Sequence, residues 1–418
     1  MTTKIWHPFT QHGLGEKIPQ VDRAEGAILY TKDGRQIVDA ISSWWVQTHG
    51  HCNPKIIAAI QEQAAKLDQI IFAGWTHGPA EQLAEELGEF LPSSLNHIFF
   101  SDSGSTAVEV ALKMALGYWH NQSEERSRII VMANSYHGDT IGAMSIGARG
   151  VFNQAYSPLL FDVATIPFPA AGHERGTLEA LEDYCADAEN RPAALIVEPL
   201  ILGAGGMIFY SPETLRAMHE ICQRHGVLFI ADEVMTGWGR TGTMFACEQA
   251  GITPDIMCLA KGLTGGVVPL ALTAASQPIY DAHYSDDRAK MFFHSSSFTA
   301  NPICCAAALA NLEIWRSEPV MDRIRSIEKS HSDFATSLSA KHNVSSVRQC
   351  GTILALEIDE ASGDYMSSLG PRLLAFFAER NVLLRPLGNT IYIMPPYCIT
   401  AEELNRVYAV IEEAIDHF

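Results

Sequence analysis

A lysine that directly follows an apolar run is the residue of this chain best suited to covalent chemistry. Lys261 stands after Ile256–Leu259 and before a glycine-rich segment, Gly262–Gly266. A desolvated lysine amine can form an imine with an aldehyde and act as a base once released. The alternative, a solvated surface lysine, is the commoner situation for an arbitrary lysine. The apolar and glycine-rich surroundings favour the chemical role.

A carboxylate ends another apolar run, at Asp232 after Val227–Ala231. Burying a carboxylate is costly unless it has a partner. The pyridinium nitrogen of pyridoxal 5′-phosphate (PLP) is such a partner, and an adjacent Asp keeps that ring protonated as an electron sink. The alternative is a helix-capping Asp. Lys261 comes 29 residues after Asp232, which leaves room for one crossover between neighbouring strands.

A serine- and glycine-rich turn, Ser103-Gly104-Ser105-Thr106, separates an apolar run from an amphipathic helical pattern. The first N–H groups of such a helix can bind a phosphate. The alternative is a plain helix cap. A nucleotide site is not indicated, because neither a P-loop motif nor a strand-linked G-x-G-x-x-G motif is present.

An aromatic residue follows a further apolar run, in Tyr136-His137-Gly138. The ring of Tyr136 could stack on the face of a pyridine, with His137 beside it. A tyrosine of the hydrophobic core is the alternative.

These groups must be positioned by a parallel sheet. Five short apolar runs alternate with helical patterns, as in α/β folds with crossover helices: His97–Phe100, Ile129–Met132, Ala194–Val197, Val227–Ala231 and Ile256–Leu259. Ligands in such folds bind outside the carboxyl ends of the strands. We therefore expect the polar groups after these runs to converge on one crevice.

The remainder of the chain predicts a second, smaller α+β domain. Long helical patterns and short strands follow Ala308, and Gly26–Tyr30 with Asp33-Gly34 resembles a hairpin. We expect residues 1–48 and 311–418 to form this small domain and residues 49–310 to form the large one.

Composition narrows the class of protein. The chain has 418 residues, a formal net charge of −19 and 47% hydrophobic residues, which excludes disorder and argues against nucleic-acid binding. No apolar run approaches the ~18 residues of a membrane span, and the first residues lack a signal-peptide pattern, so we expect a cytoplasmic protein without membrane contact. The densest metal-ligand cluster, His49–Cys52, lacks further ligands, so no metal site is predicted.

The central block of the chain resembles the class III (fold type I) PLP-dependent aminotransferases. The residues that carry the resemblance are Asp232–Val234, Gly237–Gly242, Pro254–Ile256 and Lys261-Gly262, and the similarity extends over nearly the whole chain. It implies a large domain with a mostly parallel seven-stranded sheet flanked by helices, a smaller α+β domain, and a homodimer with shared active sites.

Within this family, the sequence is most similar to the aminotransferases of biotin synthesis that convert 8-amino-7-oxononanoate to 7,8-diaminononanoate. The similarity lies in Trp6–Thr10, Ser42–Trp45, Tyr136–Thr140, Leu263–Gly266, and Arg385-Pro386 with Tyr392–Tyr397. S-adenosylmethionine is the implied amino donor.

The resemblance also implies residue roles. Lys261 would be the Schiff-base lysine, Asp232 would pair with the pyridine nitrogen, and Tyr136 would stack on the ring. Further cofactor-binding residues would be Ser103, Gly104, Ser105, His137 and, from the neighbouring subunit, Ser297. Substrate-binding residues would be Phe9, Trp44, Trp45 and Arg385, the last facing the carboxylate of the oxononanoate.

Two positions depart from the family pattern. Ser297 stands where Thr is usual, but it keeps the hydroxyl group. Phe9 stands where users of adenosylmethionine usually carry Tyr, and this leaves lysine open as an alternative donor.

Two other functions remain open at this point. One is another class III aminotransferase, acting on an ω-amino acid or a polyamine. The other is an inactive binding protein with the same fold, which would be expected to lack the lysine or the aspartate.

Overall fold

The computed structural model describes residues 3–15, 17–338, 341–358 and 368–418. Its strands are β1 Val21–Glu25, β2 Ile28–Thr31, β3 Gln36–Asp39, β4 His97–Ser101, β5 Arg128–Met132, β6 Ala164–Ile166, β7 Pro192–Val197, β8 Ile201–Leu202, β9 Ile208–Phe209, β10 Leu228–Asp232, β11 Ile256–Leu259, β12 Ala271–Ala275, β13 Val344–Cys350, β14 Ile353–Ile358, β15 Val382–Leu383 and β16 Thr390–Ile393. Its helices are α1 Ser42–Trp45, α2 Pro54–Ala64, α3 Gly78–Leu87, α4 Gly104–Asn121, α5 Ile141–Ser145, α6 Glu174–Ala186, α7 Pro212–His225, α8 Cys247–Ala250, α9 Gln277–His283, α10 Pro302–Ser317, α11 Val320–Leu338, α12 Leu369–Glu379 and α13 Ala401–His417.

A seven-stranded sheet forms the centre of the fold, in the order β4-β12-β11-β10-β7-β5-β6. The five apolar runs of the sequence are its strands β4, β5, β7, β10 and β11, so the predicted α/β fold is confirmed. Strand β12 runs antiparallel to both of its neighbours, and all other pairs in this sheet are parallel. The sequence did not resolve β6 and β12 as separate strands.

The central sheet is buried on both faces, which explains why its strands are apolar at consecutive positions. In β5, Ile129 and Val131 pack with residues of α4 such as Ala107. Their neighbours Ile130 and Met132 lie in a second core with residues of α6 and α7. All six residues of β7 are buried. A rigid platform of this kind fixes the positions of the residues that follow its strands.

The two ends of the chain meet in a second sheet, of order β1-β2-β3-β15. Strands β2 and β3 form the predicted hairpin, and β15 pairs in parallel with β3. A third sheet, β13-β14-β16, lies near the carboxyl end of the chain. The division into residues 1–48, 49–310 and 311–418 stays a prediction, and helix α10 runs across residue 310.

None of the helices in the described ranges combines the length and apolar character needed to cross a bilayer.

Candidate active site

A cavity of about 550 Å³ opens beside the carboxyl ends of the central strands. It brings together residues that are far apart in sequence. The predicted site residues that line it are Phe9, Trp44, Trp45, Ser103, Gly104, Ser105, Tyr136, His137, Asp232, Lys261 and Arg385. The expected convergence of the strand ends is therefore present in the structure.

Lys261 follows β11 and begins a short 3₁₀ turn, Lys261–Thr264, with a left-handed φ of 46°. Burial lowers the pKa of its amine to about 8, and the charge of Arg240 acts in the same direction. The carboxylates of Asp232 and Glu198 oppose this shift. The Nζ atom lies 4.8 Å from the ring centroid of Trp45. The uncharged, nucleophilic amine is therefore far more abundant near neutral pH than for an ordinary lysine.

Asp232 ends β10 and is almost fully buried, with 5% of its surface exposed. Its Oδ2 atom accepts a hydrogen bond from Nδ1 of His137 at 2.7 Å, and its Oδ1 atom accepts one from the Val234 N–H at 3.1 Å. Burial lowers the pKa of His137, but the hydrogen bond and charge of Asp232 outweigh it, and the net pKa is raised. This hydrogen bond orients the carboxyl group of Asp232 at the inner end of the cavity, which is called the floor below.

Glu198 is a second buried carboxyl of the floor, and it was not among the predicted site residues. Its two oxygens accept hydrogen bonds from the backbone N–H groups of Tyr136 and Gly203, each at 3.0 Å. Burial raises its pKa to about 7, and the hydrogen bonds and the charge of His137 only partly offset this effect. The sequence did contain a signal for Glu198. It directly follows β7, much as Asp232 ends β10, and ligands bind at the carboxyl ends of such strands.

The turn before α4 has the geometry expected of an anion site. Ser103 caps the helix, because its hydroxyl accepts from the Thr106 N–H. The N–H groups of Gly104 and Ser105 belong to the first helical turn, where no intrahelical acceptor is available. The capping alternative and the anion-binding interpretation are thus compatible.

Two close approaches at this turn require glycine. A Cβ atom on Gly104 would lie 2.6 Å from Cγ1 of Val234. Gly138 has a φ of 130°, and a Cβ atom there would lie 2.0 Å from Oγ of Ser105. The absence of a side chain lets Gly104 approach Val234, and at Gly138 it lets the Tyr136–Gly138 segment approach the start of α4.

Tyr136 presents its ring to the cavity, with 38% of its surface exposed. Burial raises the pKa of its hydroxyl above the usual value, and the nearby Asp139 adds to this effect. The phenol therefore stays protonated at neutral pH and can donate a hydrogen bond.

The outer wall of the cavity is formed by Phe9, Trp44, Phe152 and Arg385. It is aromatic except for the guanidinium group of Arg385. Phe9 is 50% exposed and its ring lies 5.7 Å from that of Trp44 and 6.1 Å from that of Phe152. Arg385 lies over Trp44, at 5.4 Å from the ring centroid. Within the described ranges, Arg385 forms no ion pair with a carboxylate of its own chain. Phe152 was not among the predicted residues, since it lies in an irregular segment without periodic signal.

Ser297 does not line this cavity. It is exposed, and its carbonyl oxygen accepts a hydrogen bond from the Gln69 side chain. Its predicted role, toward the site of a neighbouring subunit, stays a prediction.

The residues of the cavity fit PLP on chemical grounds. The start of α4, where Gly104 and the neighbouring Gly138 carry no side chain, suits a phosphate group. The buried Asp232 suits a pyridinium nitrogen, and the Lys261 amine suits an aldehyde. The Nε2 atom of His137 is buried without a hydrogen-bond partner in the described chain, so the floor also holds an unsatisfied polar group.

Comparison with known proteins decides the family. The sequence profile described as "Aminotransferase class-III" matches residues 11–415. The chain belongs to the class III aminotransferases. A relative from Synechococcus elongatus, named adenosylmethionine-8-amino-7-oxononanoate aminotransferase, is 46% identical over 99% of this chain and 98% of its own length. A relative of the same name from Geobacter sulfurreducens is 40% identical, over 98% and 95%.

Solved structures of aminotransferases superpose closely on this chain. An adenosylmethionine-8-amino-7-oxononanoate aminotransferase from Methanocaldococcus jannaschii has a TM-score of 0.95 at 33% identity, over 99% of this chain and 97% of its own. An amine transaminase from an uncultivated Pseudomonas species, in a PLP-bound form, has a TM-score of 0.94 at 31% identity, over 100% and 99%. These likenesses confirm the fold type I architecture.

Proposed function

We propose that this class III aminotransferase transfers an amino group to 8-amino-7-oxononanoate, giving 7,8-diaminononanoate in biotin synthesis, with S-adenosylmethionine as the amino donor. The relatives most similar in sequence carry that name. The observation that carries the proposal is Arg385, a guanidinium group that has no carboxylate partner in the described chain and faces the cavity from an otherwise aromatic wall.

The proposed cofactor is PLP, held by the residues of the floor. Lys261 would bind it covalently, Asp232 would pair with its ring nitrogen, and the N–H groups of Gly104 and Ser105 would bind its phosphate. When bound, PLP supplies an electron sink and an aldehyde that accepts the amino group. The ring of Tyr136, whose backbone N–H is held by Glu198, would lie against one face of the cofactor.

Proton transfer is the proposed task of Lys261 after its release. With a pKa near 8, its Nζ atom can give up and take back a proton without a large free-energy cost at neutral pH. The hydrogen bond from His137 orients the carboxylate of Asp232. The two groups therefore have separate roles, Lys261 moving a proton and Asp232 holding a fixed charge.

Substrate selection is the proposed task of the outer wall. The acceptor has a carboxylate at the end of an apolar chain, which matches an arginine beyond the rings of Phe9 and Trp44. A charge-assisted hydrogen bond to such a group contributes ~1.5–3 kcal/mol. The rings of Phe9 and Trp44 would pack against the apolar chain of the substrate.

A cytoplasmic homodimer with shared active sites is also proposed. The segments around residues 68–75 and 293–301 contact each other through Asn301 and Asp68, and both expose large apolar side chains. These are Ile71, Trp75, Phe293 and Phe298, each more than half exposed. A second copy of the chain would cover them and bring Ser297 to the neighbouring site. All nine cysteines are free thiols, as is usual in a reducing compartment.

The test is turnover by the purified protein reconstituted with PLP. It would be incubated with the oxononanoate and, in separate runs, S-adenosylmethionine or lysine, and the diamine would be detected by mass. Formation of 7,8-diaminononanoate supports the proposal, and the better donor follows from the ratio of rates. Amination of ω-keto compounds alone would indicate an ω-amino acid or polyamine aminotransferase, and no amination of any acceptor would indicate an inactive binding protein.

A further inference from the structure

The segment that carries the two cavity tryptophans has an unusual backbone. Ser42, Ser43 and Trp45 have left-handed φ values of 53°, 59° and 65°, and the ψ of Ser43 is −87°. Residues other than glycine rarely adopt this region, and a bulky side chain there is an outlier. Such conformations persist where surrounding contacts enforce them, and they concentrate at functional sites. We therefore expect a specific contact to hold this backbone kink, at Ser42–Trp45, in place.

The carboxylate of Asp39 provides that contact. Asp39 ends β3 and is completely buried. Its Oδ1 atom accepts hydrogen bonds from the N–H groups of Ile41 at 3.3 Å and Ser43 at 2.8 Å. Its Oδ2 atom accepts from the Ser43 hydroxyl at 3.1 Å. One side chain thus binds both the backbone and the side chain of the residue with the most distorted conformation.

A histidine fixes the other side of this carboxylate. Nε2 of His51 lies 2.8 Å from Oδ2 of Asp39. The backbone of His51 is itself held, because its N–H donates to the carbonyl oxygen of Gly26 at 2.8 Å. Asp39 is therefore fixed between β3 and the His51 segment, and it has little freedom to follow the kink if the kink relaxes.

The kink sets the positions of both tryptophans relative to the reactive groups. The indole N–H of Trp45 donates to the Tyr392 hydroxyl at 3.0 Å, and its ring lies 4.8 Å from Nζ of Lys261. The ring of Trp44 lies under the guanidinium group of Arg385. A regular backbone at residues 42–45 would point at least one of the two rings away from the cavity.

We propose that Asp39, anchored by His51, is a positioning residue that enforces the Ser42–Trp45 kink and so places Trp44 beneath Arg385. Asp39 does not line the cavity, so it acts through the kink alone. The inference rests on the proposed function only in that Trp44 and Arg385 bind the acceptor.

The first test is Asp39→Asn. The amide keeps one acceptor oxygen, but its nitrogen cannot accept a hydrogen bond. The variant therefore cannot accept from Ser43 and from His51 through two separate atoms, as the carboxylate does. We expect KM for the acceptor to rise roughly tenfold while kcat falls less, as for loss of a binding interaction. The visible absorption of bound PLP should remain, because Lys261 and Asp232 are untouched.

A matched control is Asp255→Asn. Asp255 precedes β11, and its carboxylate also accepts a backbone N–H, that of Phe229 at 2.8 Å. It lies at the opposite end of the strand from Lys261. This variant should lower thermal stability without changing the ratio of KM to kcat. An equal KM rise in both variants would overturn the positioning role.

Replacement of Ser43 tests the mechanism directly. Glycine adopts a positive φ without strain, so Ser43→Gly should make the kink less dependent on Asp39. The double variant Asp39→Asn/Ser43→Gly should reverse most of the rise in KM expected for Asp39→Asn. Additive losses would contradict the proposal. If Asp39→Asn does not fold, His51→Ala replaces it in the same cycle, with a smaller KM rise expected in the same direction and additivity again contradicting the proposal.

Wild-type turnover of the oxononanoate is measured in the same series, and this keeps the two proposals separate. If the wild type aminates another keto acid instead, the proposed function fails and the cycle is run with that acceptor. If the wild type aminates the oxononanoate but Asp39→Asn shows no change in KM, the positioning role fails alone.

Discussion

The floor and the outer wall of the cavity are built in opposite ways. The floor groups at the strand ends are buried and held by hydrogen bonds within the chain, as in the 2.7 Å hydrogen bond between Nδ1 of His137 and the buried Asp232. The wall groups are exposed, with Phe9 at 50% and Trp44 at 45%, and Arg385 has no carboxylate partner in the described chain. Under the proposed function, this difference would suit a floor preorganised for one constant ligand, the cofactor, and a wall whose contacts only a substrate completes.

The largest expected effect comes from removing the reactive amine of the floor. Lys261→Ala should abolish both turnover and the visible absorption band that forms when PLP binds covalently. No other lysine lines the cavity in the described chain. Absorbance spectra of reconstituted wild type and variant test this directly, and a normal band in the variant would assign the covalent link to another residue.

The fixed charge of the floor should have the next largest effect. Asp232→Asn removes the negative charge that His137 orients, and loss of a preorganised electrostatic contact costs ~10²–10³ in kcat. The phosphate contacts at α4 remain, so some PLP should stay bound. Activity and bound cofactor are measured on the same preparation, and unchanged kcat with full occupancy would contradict the role of Asp232.

A substitution in the outer wall should have a smaller effect on activity, and the size of that effect should depend on the acceptor. Arg385→Met should reduce kcat/KM for the oxononanoate roughly tenfold or more, through loss of one charge-assisted hydrogen bond. The PLP spectrum and the melting temperature should not change, because Arg385 pairs with no carboxylate in the described chain. A fall in melting temperature with an equal loss for all acceptors would instead indicate a structural role.

The pH dependence of PLP binding by the cofactor-free protein tests the pKa of Lys261 in the floor. The folded-state pKa of Lys261 is lowered to about 8, so the neutral amine is present at about a tenth of sites at pH 7. The rate at which the cofactor-free protein captures PLP should therefore rise with pH and level off above about pH 8. A rate that continues to rise well above pH 9 would indicate an ordinary lysine, whose pKa is ~10.4.

The residues of the floor could be predicted from the sequence, because buried strands appear as apolar runs and the reactive residues directly follow those runs. Asp232 and Lys261 each follow an apolar run, and the ends of parallel strands converge. Strand β12 was missed, since Ala271–Ala275 is short and contains three alanines, a residue depleted in strands. Glu198 also directly follows an apolar run, as Asp232 does. It was not predicted as a site residue, because an Asp suits a pyridinium partner more obviously than a Glu that precedes a proline.

The wall was predictable only through family resemblance. Phe9 and Trp44 lie near the start of the chain and Arg385 near its end, and no local pattern indicates that they meet. Phe152 carries no resemblance motif and was missed. The role of Asp39 depends on backbone conformation, because a positive φ at Ser43 cannot be inferred from a residue type that rarely adopts it.

The division between floor and wall is tested most directly by comparing two acceptors with one enzyme. Single-turnover amination would be measured for 8-amino-7-oxononanoate and for the same ketone without its carboxylate, using wild type and Arg385→Met. Wild type should prefer the carboxylate-bearing ketone roughly tenfold or more. Arg385→Met should remove that preference and leave the PLP spectrum unchanged. Equal use of both ketones by the wild type, or a preference that survives in Arg385→Met, would contradict the account.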